Sequence, residues 1–84
     1  MGGDFIAVKV IVEGGLDIYD SPNGKYKGHY DEGDIIRTLE PNSKRVANDG
    51  RIYACYTVGG HKGLKHWIAI EDTKGNATVE KIDY

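Results

Sequence analysis

The sequence has few of the residues that crosslink small proteins. Cys55 is the single cysteine among 84 residues, so an intramolecular disulfide is excluded. No Cys-x-x-Cys or His-x-x-x-His spacing occurs, and His61 and His66 stand five residues apart across a predicted hairpin, so a zinc site would need ligands from elsewhere. We therefore expect no metal and no cofactor, and a thin core whose stability is marginal unless the chain oligomerises.

Long apolar runs and an excess of positive charge are also missing. No stretch approaches the roughly 20 apolar residues of a membrane span, and residues 1–12 lack the features of a secretory signal. Eleven Lys and Arg are outweighed by thirteen Asp and Glu, whereas nucleic-acid binding needs a concentrated positive face. We expect one domain over residues 1–84, binding neither nucleic acid nor membranes, that stays in the cytoplasm until lysis releases it.

The apolar residues that are present favour strands. Nine Ile and six Val stand against three Leu and five Ala, and twelve Gly punctuate the chain; β-branched side chains suit a pleated sheet better than a helix. Alternation of apolar and polar residues predicts seven strands, with an exposed loop at 40–50. The predicted strands cover residues 5–12, 16–19, 26–30, 34–39, 51–58, 64–71 and 77–83. We predict an all-β fold, a small partly open barrel of about six or seven short antiparallel strands.

Two predicted strands carry the face assignments used below. In the strand at 51–58, alternate side chains are predicted to lie on opposite faces. One face has Ile52, Ala54, Tyr56 and Val58, and the other has Tyr53, Cys55 and Thr57. The strand at 5–12 is apolar on both faces apart from Lys9. That pattern is typical of a central strand of the barrel, or of a strand that pairs with a second subunit.

Four short motifs resemble bacterial Src-homology-3-like (SH3-like) domains. Residues 16–23, LDIYDSPN, resemble the opening motif of that family, and residues 33–36, GDII, resemble its Gly-Asp turn and following strand. Ile52-Tyr53 and His66-Trp67-Ile68 stand where the family usually has Trp-Tyr and Gly-Trp-Val. The resemblance covers residues 10–70 and departs at Tyr19, Ile52 and His66, where the family has Arg, Trp and Gly. It implies an SH3-like barrel with Trp67 packed in the core.

The resemblance also implies a function. Domains of this family commonly sit at the end of phage and bacterial peptidoglycan hydrolases and hold them on the cell wall. We therefore expect a non-catalytic cell-wall-binding module of the kind found in phage endolysins. Its partners would be wall glycan or peptide, a full-length lysin, or further copies of the chain. The alternative is a small intracellular phage or bacterial protein that binds and inhibits a host protein through its β-surface.

Tyrosine is the abundant aromatic residue and marks the predicted binding site. Aromatic faces pack against sugar rings and aliphatic stems, with carboxylates and amides at the edges for hydrogen bonds. Three tyrosines flank the first turn, and a fourth shares a strand face with Cys55. In the barrel family the opening loop and the loop after it flank one groove. The predicted ligand-binding residues are Tyr19, Asp20, Tyr26, Tyr30 and Tyr53, although these tyrosines could also simply cover the ends of the barrel.

The sequence gives little support for a catalytic function. Cys55 could in principle act as a thiol nucleophile with a histidine as base, the candidates being His29, His61 and His66. A lone cysteine midway along an apolar strand is, however, usually a small buried hydrophobe. We predict no catalytic residues.

Overall fold

The computed structural model describes residues 5–59 and 63–83, and within them it contains eight strands, one 3₁₀ turn and no α-helix. The strands are β1 (Ile6–Val10), β2 (Leu16–Tyr19), β3 (Tyr26–Tyr30), β4 (Ile35–Leu39), β5 (Arg45–Val46), β6 (Ile52–Thr57), β7 (Lys65–Glu71) and β8 (Val79–Ile82). The all-β prediction is confirmed, and every predicted strand is present. The predicted hairpin turn at 59–63 falls mostly outside the described residues.

The loop predicted at 40–50 contains more structure than expected. It begins with a 3₁₀ turn, Pro41–Ser43, and continues into the two-residue strand β5, which pairs with β6. The side chains of β5 are exposed, so no apolar alternation marks this strand in the sequence. Its pairing with β6 is a local hairpin, in which the turn at 47–51 places Arg45 opposite Tyr53 and Val46 opposite Ile52.

All eight strands belong to one antiparallel sheet that curls back on itself. The order is β3-β2-β7-β6-β4-β1-β8, with β5 added to β6. The outer edge of β7 is shared: Tyr19 of β2 pairs with Trp67, and Ala77 bridges Glu71. Thr78 then strengthens the closure, because its N–H donates to the Ile70 carbonyl at 3.0 Å and its Oγ1 donates to the Ala69 carbonyl at 2.6 Å. This arrangement is consistent with a small partly open barrel.

The core fills the inside of the curled sheet. Its buried members come from β1, β2, β4, β6 and β7: Val8, Val10, Leu16, Ile18, Ile36, Leu39, Ala54, Tyr56, Ile68 and Ile70. The face assignment predicted for residues 51–58 is confirmed, since Ala54 and Tyr56 point into this core while Tyr53 and Cys55 lie on the other side of β6. Strand alternation alone was enough to separate the two sets.

Strand β1 is a central strand. Both of its backbone edges are occupied, one by β4 and the other by β8, so the alternative of edge pairing with a second subunit does not apply. Its outward face still exposes apolar side chains, because Phe5 is 51% and Ile11 38% exposed.

A second buried layer lies on the outer face of β6 and β7. Tyr53, Cys55 and Ala69 are buried there although they point away from the core. Trp67 shares this face and is half-buried, so the expectation that it packs in the core was wrong. The physical reason is the alternation of β7, which uses Ile68 and Ile70 for the core and leaves the residue before each of them on the outside.

Candidate functional site

Three aromatic side chains form one row across the outer face of the sheet. Tyr26 of β3 is the cross-strand partner of Tyr19 in β2, and Tyr19 is in turn the partner of Trp67 in β7. Directly opposed residues in antiparallel strands project from the same face with their Cβ atoms about 5 Å apart. A shift in register between Ile18 and Tyr19 places Tyr26 opposite Tyr19. Tyr26 is 61% exposed, and Tyr19 and Trp67 are half-buried. We call these three residues the aromatic row.

Tyr53 supports the aromatic row from below. Its ring is fully buried and meets the Tyr19 ring edge to face, with centroids 6.0 Å apart and planes at 68°, a favourable geometry for aromatic pairs. Its hydroxyl donates to Asn23 Oδ1 at 3.1 Å, and desolvation raises the pKa of Tyr53. Sequence reasoning placed Tyr53 in the site, and the structure places it beneath that surface, where it holds Tyr19.

Asp20 organises the turn beside the row. Its Oδ1 accepts the Lys25 N–H at 2.9 Å, and its own N–H donates to the Lys25 carbonyl at 3.0 Å. The hydrogen bond from Lys25 lowers the pKa of Asp20, so the carboxylate stays ionised. A Cβ at Gly24 would lie 2.3 Å from this carboxylate, which explains the glycine. The strong turn predicted at 20–24 is confirmed, with Asn23 at φ 59°.

Tyr30 does not join the other predicted residues. It pairs with Leu16, which is a core residue, and its ring lies 5.7 Å from the ring of Tyr56 on the inner side of the sheet. Burial raises the pKa of Tyr56 strongly. Tyr19, Asp20, Tyr26 and the buried Tyr53 are therefore gathered around the first turn, whereas Tyr30 covers the core.

Two arginines that were not among the predicted site residues flank the aromatic residues. The Arg45 guanidinium lies 6.0 Å from the centroid of the Trp67 ring, and that of Arg51 lies 5.8 Å from Tyr53, both within the range of cation–π attraction. Arg51 is also ion-paired, with Nε 2.7 Å from Asp49 Oδ2. The outward position of Trp67 was visible in its alternation with Ile68 and Ile70, but the family resemblance favoured the core.

A cavity of about 430 Å³ opens on the Trp67 side of the row. The residues that line it are Glu40, Asn42, Ser43, Lys44, Arg45, Cys55, Lys65 and Trp67. No hydrogen bond of good geometry reaches the buried Glu40 Oε2 within the described part of the chain, but Lys65 Nζ lies 2.6 Å away and compensates its charge. The close contact with Glu40 raises the pKa of Lys65, which keeps this amine protonated. We call this cavity the basic pocket.

A smaller cavity of about 270 Å³ opens on the other side of Tyr19. Glu13, Asp17, His29 and Arg51 line it together with residues 14–16, Tyr19 and Ala69. His29 is held there by Asp17, and that hydrogen bond raises the pKa of His29. The aromatic row thus lies next to two pockets, one with an excess of cations and one in which carboxylates and cations occur together.

The candidate nucleophile is poorly placed for chemistry. Cys55 is 4% exposed, and its N–H donates to Ser43 Oγ at 2.9 Å. His66 is the partner of Tyr56 and faces the core side, opposite to Cys55, so these two residues do not form a nucleophile and base. His61 lies outside the described residues.

Among residues 5–59 and 63–83, no group of three or more His, Cys, Asp and Glu side chains is arranged to hold a metal ion. Over the same residues, no helix is long and apolar enough to cross a membrane. Comparisons of the chain with protein-family models, with curated proteins and with solved structures found no match. The likeness to SH3-like domains therefore depends on the sequence motifs alone.

Proposed function

We propose that this protein is a non-catalytic module that binds the bacterial cell wall, either peptidoglycan or a polymer attached to it, and so targets a lytic enzyme such as a phage endolysin. The aromatic row carries the proposal: Tyr26, Tyr19 and Trp67 are successive cross-strand partners on three neighbouring strands. The motif resemblance supports the same class of function. On this proposal the chain acts at the wall after lysis has released it from the cytoplasm.

Recognition would combine stacking with a few polar contacts. Sugar rings and aliphatic stems pack against aromatic faces, and the flanking Arg45 and Asp17 supply one charge of each sign at the edges of the row. The surface is shallow, so a single site is expected to bind weakly. Association with a full-length lysin or with further copies would raise retention, because the second attachment becomes intramolecular.

Sedimentation of labelled protein with intact Gram-positive cells and with purified sacculi tests the proposal. Tyr26→Ala removes a ring that is 61% exposed, so binding should fall about ten-fold while the fold is unaffected. Phe5→Ala is the matched control, since Phe5, immediately before β1, is 51% exposed and lies off the row. Equal loss in both variants, or no retention on any of a broad panel of walls, would refute wall binding through the row.

An exposed apolar surface favours a second candidate function, the binding and inhibition of a soluble host protein. Phe5, Ile11 and Ile35 are 51%, 38% and 43% exposed, and Ile35 is the cross-strand partner of Lys9 between β4 and β1. Exposed apolar groups of this kind occur at protein interfaces. One soluble partner captured from host lysate, lost on Ile35→Asp but kept on Tyr26→Ala, would establish this function. The reverse pattern on cell walls would establish the first.

A further inference from the structure

The basic pocket has an uncompensated positive charge beside an aromatic ring. Lys44, Arg45 and Lys65 line it, and Glu40 is its one acidic residue within the described chain. Glu40 is committed to Lys65 at 2.6 Å, and no carboxylate in the described residues lies within ion-pair distance of Lys44 or Arg45. Two positive charges therefore line this cavity without a carboxylate partner among the described residues, in a protein whose net charge is −2.

The wall of the pocket is held rigidly in place. Ser43 Oγ accepts the Cys55 N–H at 2.9 Å and donates to the Glu40 carbonyl at 2.6 Å. The 3₁₀ turn is thereby fastened to the outer face of β6, and the pairing of Arg45 with Tyr53 continues this attachment into β5. The backbone that carries Lys44 and Arg45 is thus fixed, so little backbone conformational entropy is lost when these residues meet an anion.

We propose that the basic pocket binds a phosphate group of a phosphodiester-linked polyol or sugar polymer while the polymer stem packs on Trp67. This inference deepens the proposed wall-binding function and depends on it. Guanidinium and ammonium groups are the usual partners of phosphate, and Arg adds paired donors of fixed geometry. The half-buried Trp67 ring, 6.0 Å from Arg45, offers the stem an apolar face next to those donors.

The charge distribution favours such a polymer over nucleic acid. A nucleic-acid surface needs a track of cations along many phosphates, whereas here the excess of cations is confined to one cavity and the cavity across the row has Glu13 and Asp17. A single carboxylate of a wall peptide, like a single phosphodiester group, would balance only one of the two charges. A flexible chain with one charge in each repeat can bring two into the same pocket.

Trp67 makes the proposal directly measurable, because it is the single tryptophan of the chain and lines the pocket. Its fluorescence is followed during titration with poly(glycerol phosphate), with polygalacturonate as a carboxylate polymer and with an oligothymidylate as the nucleic-acid probe. The expected result is a saturable change with poly(glycerol phosphate) at lower concentration than with the other two. No response to poly(glycerol phosphate), or stronger binding of either other polymer, would overturn the proposal.

A charge-matched pair of variants identifies the residues. Lys44→Gln with Arg45→Gln should weaken poly(glycerol phosphate) binding about ten-fold or more and reduce its salt dependence. Lys74→Gln with Lys81→Gln removes the same charge from exposed positions outside the pocket and should change binding less than about two-fold. Equal weakening by the two pairs would mean nonspecific attraction and would overturn the pocket assignment.

Sacculi with and without their phosphodiester-linked polymers separate this inference from the proposed function. Retention that is lost when the polymers are stripped supports both. If retention survives stripping, and the Lys44 and Arg45 variant binds as well as the parent, wall binding still holds. The assignment of the basic pocket as a phosphate site is then wrong. Absence of retention on both preparations refutes wall binding. The fluorescence titration then shows by itself whether the basic pocket binds the phosphodiester polymer.

Discussion

His29 and Asp17 are cross-strand partners in β2 and β3, and their side chains meet with His29 Nδ1 2.9 Å from Asp17 Oδ1. The other ring nitrogen, Nε2, lies 2.9 Å from the carbonyl oxygen of Gly14. Both acceptors lack a proton, so only the doubly protonated imidazolium satisfies both contacts. The pair therefore connects the β2–β3 hairpin to the Gly14-Gly15 turn through a charged histidine.

The first prediction is a pH dependence of stability. The hydrogen bond to Asp17 is the main cause that raises the pKa of His29 above 6.5. Asp31, which lies 3.7 Å from Nε2, raises the pKa further. Glu13 and Arg51 are the other charged residues that line the same cavity. A raised pKa in the folded state gives stability that is fully present below pH 6.5 and is lost as pH rises through the folded pKa. The stability of the parent relative to His29→Gln should therefore be largest in mildly acidic solution.

Urea denaturation of the parent and of His29→Gln between pH 5 and 9, with NMR titration of the ring, measures this dependence. His66→Gln is the control, because no carboxylate contact to His66 is found among the described residues. A measured pKa for His29 at or below 6.5 would contradict the prediction.

The second prediction concerns the close approach of Gly15 to β3. A Cβ at Gly15 would lie 1.9 Å from the Tyr30 carbonyl oxygen and 2.8 Å from His29 Nε2, with φ at +81°. Gly15→Ala should therefore cost well over 2 kcal/mol, since it adds a backbone clash to the strain of a left-handed conformation. Gly14→Ala has a similar φ of +85° with open space around it and should cost about 1 kcal/mol. Equal urea midpoints for the two variants would show that the clash is relieved without cost.

The third prediction concerns the hydrogen bond that Tyr53 makes beneath the aromatic row. Tyr53→Phe removes the hydroxyl that donates to Asn23 Oδ1 at 3.1 Å, leaves the ring in place, and should destabilise the protein by about 1 kcal/mol. Wall binding should fall as well, because Asn23 belongs to the turn beside Tyr19. Tyr26→Phe is the control: its side chain is 61% exposed, so its unfolding free energy should be unchanged. Thermal denaturation and sedimentation with sacculi provide the two measurements.

The fourth prediction concerns the attachment of the 3₁₀ turn to β6. Ser43→Ala leaves the Cys55 N–H and the Glu40 carbonyl without the hydroxyl that joins them, which should cost about 1–3 kcal/mol. The Cys55 thiol, 4% exposed in the parent, should then react faster with a thiol reagent. Ser21→Ala, at an exposed turn position, should change neither stability nor labelling. Unchanged labelling in Ser43→Ala would mean that other contacts hold the turn.

The strands and turns were predictable because they depend on local information. Alternation over four to eight residues sets the faces of a strand, and the sequence around Asp20 and Asn23 has well-defined turn chemistry. Those rules located β2 and β3 with the bounds that the structure has. They also separated Tyr53 and Cys55 from the core residues of β6.

The site was only partly predictable for the same physical reason. Local sequence brought Tyr19, Asp20 and Tyr26 together, but it could not show that Tyr30 pairs with Leu16 on the inner face. Neither could it show that β5, whose side chains are exposed, fastens Arg45 over the ring of Trp67. The first relationship depends on the register of the β2–β3 hairpin, and the second depends on β6 pairing with both β5 and β7. The alternation within a single strand specifies neither.

The sequence by itself therefore determined the fold class, the positions of the described strands other than β5, and the turn that organises the site. Each follows from the conformational preferences of neighbouring residues. The tertiary structure alone decided that Tyr19 and Trp67, which are far apart in the chain, become partners across β2 and β7. It also decided that Trp67 faces outward beside Lys44 and Arg45. Closing the barrel uses the inner faces of the strands for the core, and the aromatic and basic groups left on the outer face become a surface that can bind a ligand.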